Sequence, residues 1–153
     1  GQLLLDTRSD NGQGWCLQTT YNGTIEIILN DGRTENRWDC DPQLIEAGKR
    51  HHLAVVVDGG PKVITFLVDG AVCDGGTFRQ FGWGRYSPHL RHVNSKTQNR
   101  VIAPGSTTSE EQIPTSDPIN TQTVRIAPSV EKLRLYNRYL RNSEVIGNFL
   151  CEK

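Results

Sequence analysis

A chain of 153 residues, 35% hydrophobic and 22% charged, fits one domain, is too apolar for disorder, and buries roughly two thirds of its unfolded surface on folding. Its 17 basic side chains balance 17 acidic ones, so no global field favours nucleic acid and no basic block marks a membrane surface. The longest apolar runs, such as Leu53–Val57, are far too short to span a bilayer.

The first element is Leu3–Asp6, which already reads as a strand. The chain is therefore expected to be a piece of a longer protein, with any targeting segment lying outside it. Four Asn/Asp-Gly pairs follow, Asn22-Gly23, Asp31-Gly32, Asp58-Gly59 and Asp69-Gly70, each between apolar segments. Tight hairpins need positive φ at their centre, which Gly accepts freely and Asn or Asp tolerates. The same chemistry explains Asn22-Gly23-Thr24, a glycosylation acceptor by pattern, as a turn.

Between these turns the apolar period is two. Ile25, Ile27 and Leu29 share one face of Thr24–Asn30, with Glu26 and Asn30 on the other. His51–Asp58 carries Leu53, Val55 and Val57 on one face and Ala54 and Val56 behind them. Lys62–Asp69 groups Ile64, Phe66 and Val68. These last two strands are apolar on both faces, so they are expected to lie centrally and to be covered at least in part on both sides. From Asn94 to Thr123 polar residues dominate, an unusually long unpatterned stretch for a compact domain. Strand patterns return at Thr123–Ile126 and Val130–Tyr136, where Leu133 and Leu135 are expected to face inward. An Asn142 or Ser143 cap, Glu144 in the first turn, and Val145, Ile146 and Phe149 at helical spacing predict one short terminal helix. The fold class is all-β: two antiparallel sheets with one short C-terminal helix, in a single domain over residues 1–153.

Two segments carry a resemblance. "HHLAVVVDGGPKVITFLVDG", His51–Gly70, and "VEKLRLYNRYLRNSEV", Val130–Val145, resemble the central hairpin and the closing strand of laminin-G-like domains, within the concanavalin A-like lectin and glucanase superfamily. With "GTIEIILNDG" they cover somewhat more than half the chain. The resemblance implies a jelly-roll sandwich of two antiparallel sheets and a lectin-like, secreted or cell-surface setting. It also implies further N-terminal strands before Leu3, absent from this chain. The fold it implies usually occurs outside the cytosol, so the four cysteines are expected to form at least one disulfide within the set Cys16, Cys40 and Cys73. The alternative is four buried thiols.

Enzymatic readings find little support. The glucanases of the superfamily alternate three acids along one strand, and no such strand occurs here. Asp39-Cys40-Asp41 has the alternation but no third acid, and Pro42 follows; Glu110-Glu111 reads as a solvated pair. Neighbouring His51 and His52 point to opposite faces of a strand, so packing and hydrogen bonding is their expected role. His89 and His92 read as solvated loop residues. Calcium is the cofactor that the resemblance admits, with Asp39 and Asp41 as ligand candidates. Asp58 and Asp69 are explained by their turns.

The binding candidate is "GTFRQFGWGRYSPHLRH", Gly76–His92. Phe81, Trp83 and Tyr86 offer flat rings for the C–H faces of sugars, and Arg79 and Arg85 reach hydroxyls; the alternative is that Phe81 and Trp83 plug one end of the sandwich under the long loop. Trp38 is a second candidate, while Trp15 is expected in the core. The function expected is a non-catalytic carbohydrate-binding module of a secreted or surface multidomain protein, with a glycan and neighbouring domains as partners. The alternatives are a structural or protein-interaction domain without a sugar site, and part of a glycoside hydrolase if missing N-terminal strands supply the acids.

Overall fold

The computed structural model describes residues 1–93, 99–102 and 122–152; for 99–102 and 122–124 only the backbone is described. Most of the polar stretch from Asn94 to Thr123, Glu110 and Glu111 included, lies outside these residues.

Among the described residues, ten strands and one helix occur in chain order. They are β1 (Leu3–Asp6), β2 (Gly14–Thr19), β3 (Ile25–Asn30), β4 (Glu35–Asp39), β5 (Leu53–Asp58), β6 (Val63–Val68), β7 (Ala71–Val72), β8 (Gly84–Arg85), β9 (Asn99–Ile102), β10 (Gln122–Ile126) and α1 (Asn142–Leu150). One sheet runs β4-β3-β2-β1-β10-β9; the other runs β5-β6-β7, with β8 also on β6. Every pairing is antiparallel except β9 with β10. This is the expected all-β, two-sheet architecture with one short helix.

The two sheets share one core. Leu5, Leu17, Ile25, Ile27 and Leu29 of the first meet Ile64, Phe66 and Val68 of the second, with Trp15 partly buried against them. The alternation read from β3 and β6 is thus the alternation that builds the core. The outer face of the first sheet is less simple. Cys16 pairs with Ile28, Ile28 with Arg37, and Asp6 with Cys16. Both Cys16 and Ile28 are fully buried although they point away from Leu17 and Ile27. Around them lie the Arg8–Asp6 and Arg37–Glu26 ion pairs and a Gln18–Glu26 hydrogen bond.

Three expectations are corrected. Among the described residues β5 lies at a sheet edge: β6 is central, and every β5 side chain is half-exposed. Hydropathy alone does not distinguish a central strand from an edge strand half-covered on each face. Val130–Tyr136 forms no strand. Leu133 packs against the core, but Leu135 is 56% exposed. Side chains fasten this segment instead, through Arg50–Glu131, Lys132–Glu152 and Arg134–Glu152. Finally, the residue capping α1 is Arg141, whose backbone N–H donates to Glu144 Oε2 at 2.8 Å.

The helix docks on the β6–β7 hairpin. Asp69 and Gly70 both adopt positive φ, +50° and +81°, as a two-residue hairpin loop of this hand requires. A Cβ on Gly70 would come 2.4 Å from Phe149 Cδ1, and the Phe149 ring packs on His52 at 5.4 Å. His51 Nδ1 bonds Asp69 Oδ2 at 2.8 Å, and Glu46 N–H donates to His51 Nε2. The two histidines therefore brace the hairpin and the helix. No helix among the described residues is long and apolar enough to cross a membrane.

Candidate functional site

The binding candidate is built on the chain leaving β4. Trp38, on the strand's inner face, is half-buried beside the core. Its Nε1 donates to Gly82 O at 3.1 Å. Asp39 and Asp41 flank Cys40, and both receive Arg79. Arg79 Nη1 donates to Asp39 Oδ1 at 2.9 Å, while Nη2 donates to Asp41 Oδ1 at 2.9 Å and to Asp39 O at 2.6 Å. The guanidinium also sits 4.5 Å from the Trp38 ring centroid. Asp41 takes a further hydrogen bond from Gly75 N–H at 2.9 Å.

These contacts engage several of the candidate residues within the protein. Arg79 is consumed as a fastener, its charge matched by two carboxylates. Trp38 is covered by Arg79 and by the chain at Gly82–Gly84. Asp39 and Asp41, the calcium candidates, already hold a cation in the form of that guanidinium. Among the described residues no cluster of three or more His, Cys, Asp or Glu side chains could hold a metal. Tyr86 turns inward: it is 7% exposed and its hydroxyl donates to Asp58 O at 3.2 Å.

Above this floor runs an alternating strip. From Phe81 to Arg85 the odd residues are exposed, and from Gly82 to Tyr86 the even residues are buried. Phe81, Trp83 and Arg85 therefore share the outward side, as period-two backbone dictates. The buried glycines are there because nothing larger fits. A Cβ on Gly82 would lie 2.0 Å from Cys73 O, and one on Gly84 would lie 2.2 Å from Trp38 Cδ2. The backbone is thus pressed flat on Trp38 and Cys73, and the intervening Trp83 has to point out. Trp83 is 39% exposed and Phe81 48%, and the two rings stack at 5.1 Å with a 30° tilt. Phe78 is exposed nearby in sequence. Among the described residues Arg85 makes no ion pair. The chain beyond the strip is pinned by Leu90, fully buried, and by Ser87 N–H on Asn36 Oδ1. His89 and His92 are exposed.

The arrangement offers two stacked rings and an uncommitted guanidinium on a backbone braced from below. The two neighbouring carboxylates of its floor, Asp39 and Asp41, are both paired with Arg79. The sequence reading missed the inward roles of Trp38, Arg79 and Tyr86. For Tyr86 the signal that could have revealed it is the period-two pattern Phe-Gly-Trp-Gly-Arg-Tyr, in which glycine stands for buried; Trp38 and Arg79 are set by partners remote in sequence.

No protein-family model matches the chain, and no curated protein matches it. Among solved structures it is similar to residues 221–444 of an S-layer domain-containing protein from Clostridium thermocellum ATCC 27405. The identity is 16% and the TM-score 0.36; the match covers 97% of this chain and 62% of that one.

Proposed function

We propose that this domain is a non-catalytic carbohydrate-binding module that stacks a glycan on Phe81 and Trp83, with Arg85 supplying polar contacts. The observation that carries this reading is the exposed Phe81–Trp83–Arg85 edge on a backbone clamped by close glycine contacts. Large aromatic side chains held half-exposed at a fixed orientation cost little further ordering when a sugar ring arrives. The resemblance to laminin-G-like, jelly-roll domains is part of the same proposal, as is a place in a secreted or surface multidomain protein. Screening the purified chain against immobilised glycans, with and without calcium, tests it. Binding lost in Trp83→Ala is the expected result. Silence across the whole glycan set refutes it, and turnover of any glycan would replace it with a hydrolase.

A second reading has its own observation. Leu135, Tyr136, Tyr139 and Leu150 are exposed in the C-terminal part of the chain, and Tyr139 lines a groove with Val56, Pro61, Val63 and Leu140 as well as Asp58 and Arg141. Exposed apolar and aromatic side chains of this kind suit contact with a neighbouring domain. On this reading the domain is structural, and Tyr136→Ser with Tyr139→Ser would disturb assembly with its neighbours but leave glycan binding unaltered.

A further inference from the structure

The four cysteines are thiols in the structure, but the fold places them very differently. Cys16 lies on the outer face of its sheet, beneath Asp6, Arg8, Glu26 and Arg37. Cys151 is exposed at the end of α1. Only Cys40 and Cys73 belong to the shared core.

Each of these two follows directly on a strand. Cys40 leaves β4, its N–H donating to Ile25 O at 3.0 Å and its sulfur accepting Ile25 N–H at 3.3 Å. Cys73 leaves β7, its N–H donating to Phe66 O at 2.9 Å. The adjoining backbones are joined through Gly75 N–H on Asp41 Oδ2. The two thiols also sense each other's charge. The Asp41–Gly75 bond holds the two segments side by side, with Cys40 next to Asp41 and Cys73 two residues before Gly75, and both cysteines sit in the one core cluster.

We propose that Cys40 and Cys73 form a disulfide joining the β4 edge of the six-stranded sheet to β7 of the other, directly below Gly82. Two thiols lose two protons and two electrons as the S–S bond forms. A small-molecule or protein disulfide takes them up as its own S–S bond breaks into two thiols. Burial pushes the Cys40 thiol up to about 11 and raises Cys73 as well. Both are therefore poor thiolates in the closed core, and the bond has to form before that core closes. Once made, it is sheltered from reductants. Because Gly82 rests against Cys73 O, the cross-link also stiffens the floor of the aromatic strip.

The test uses the full chain, refolded with reduced and oxidised glutathione and then alkylated under denaturing, non-reducing conditions. Mass spectrometry of tryptic peptides should show Cys16 and Cys151 alkylated and one linked pair containing Cys40 and Cys73. The partners are 33 residues apart (73 minus 40), and a loop of that length implies a Tm about 10 °C lower after reduction. Cys40→Ser with Cys73→Ser should melt at the lower temperature with or without reductant, whereas Cys16→Ser with Cys151→Ser should keep the response. Four alkylated cysteines, or a linked pair containing Cys16 or Cys151, would overturn the assignment. The peptide analysis is made on the unmutated chain, so it decides the matter even if the double variant does not fold.

Discussion

Replacing Gly84 by Ala would place a Cβ 2.2 Å from Cδ2 and 2.4 Å from Cε3 of Trp38. Real Cβ atoms do not approach so closely, so either the indole or the strip has to move. The indole cannot move freely. It donates to Gly82 O, carries Arg79 on its ring, and packs beside the core. Forcing an extra methyl into a packed site costs about 1–3 kcal/mol. Loss of the indole hydrogen bond adds about 1 kcal/mol, and loss of the cation–π contact about 0.5–1 kcal/mol. Reduced freedom of the unfolded chain returns about 0.4–1 kcal/mol. The expected net loss is about 3 kcal/mol, or about 6–12 °C in Tm for a chain of this size. Urea titration measures it directly. Gly147→Ala is the control: nothing lies within 4 Å of that Cβ, so within the helix it should stabilise by about 0.5–1 kcal/mol. A Gly84→Ala variant within about 0.5 kcal/mol of the parent would refute the claim that the strip is clamped from below.

Two further outcomes follow from the charges. Arg79→Ala would leave the Asp41 carboxylate, 8% exposed, without its cation, and should cost about 3 kcal/mol in chemical denaturation; a loss under about 1 kcal/mol would mean that Arg79 is a surface residue. Acid should destabilise the domain. Glu144 is held at about 2 by Arg138 and by the Arg141 N–H, and Glu152 is lowered by Lys132 and Arg134. A carboxylate lowered on folding contributes stability above its unfolded value, 4.5 here, and loses it as pH falls through the folded value. For Glu144 the loss runs from about pH 4.5 to about pH 2. A Tm constant between pH 5 and pH 2 would contradict these pairs.

What the sequence made legible was mostly local. Ile25, Ile27 and Leu29, and Ile64, Phe66 and Val68, announce a core face by alternation, and Asp69-Gly70 announces a hairpin by the φ it needs. Val145 and Phe149 announce a helix that docks. The missed features depend on partners remote in sequence. Whether β5 is central or at an edge depends on which strands flank it, and its Leu-Ala-Val-Val-Val run suits both places. Leu135 follows the strand pattern, yet the segment carrying it is held by ion pairs to Arg50 and Glu152. Within the site, Phe81, Trp83 and Arg85 stand on the outward side, a choice between ligand platform and core plug that their residue types alone left open. The engagement of Arg79 with Asp39 and Asp41, 40 and 38 positions away, leaves no local trace. Tyr86 looked equivalent to Trp83 by type, and only the phase of the strip separates them.

Glycan affinity and melting temperature measured on one variant, Trp83→Ala, bear most directly on the proposed function. Trp83 is part-exposed and stacked on Phe81, so its truncation should remove a sugar platform and little of the core. Aromatic contacts worth about 0.5–1.5 kcal/mol beyond area burial, together with the lost contact area, predict affinity at least about tenfold weaker. The Tm should fall by no more than a few degrees. Unchanged affinity for the glycan that the parent chain binds, with a large fall in Tm of the size that a buried aromatic costs, about 3–5 kcal/mol, would show that Trp83 is a structural plug and that the sugar site is not there.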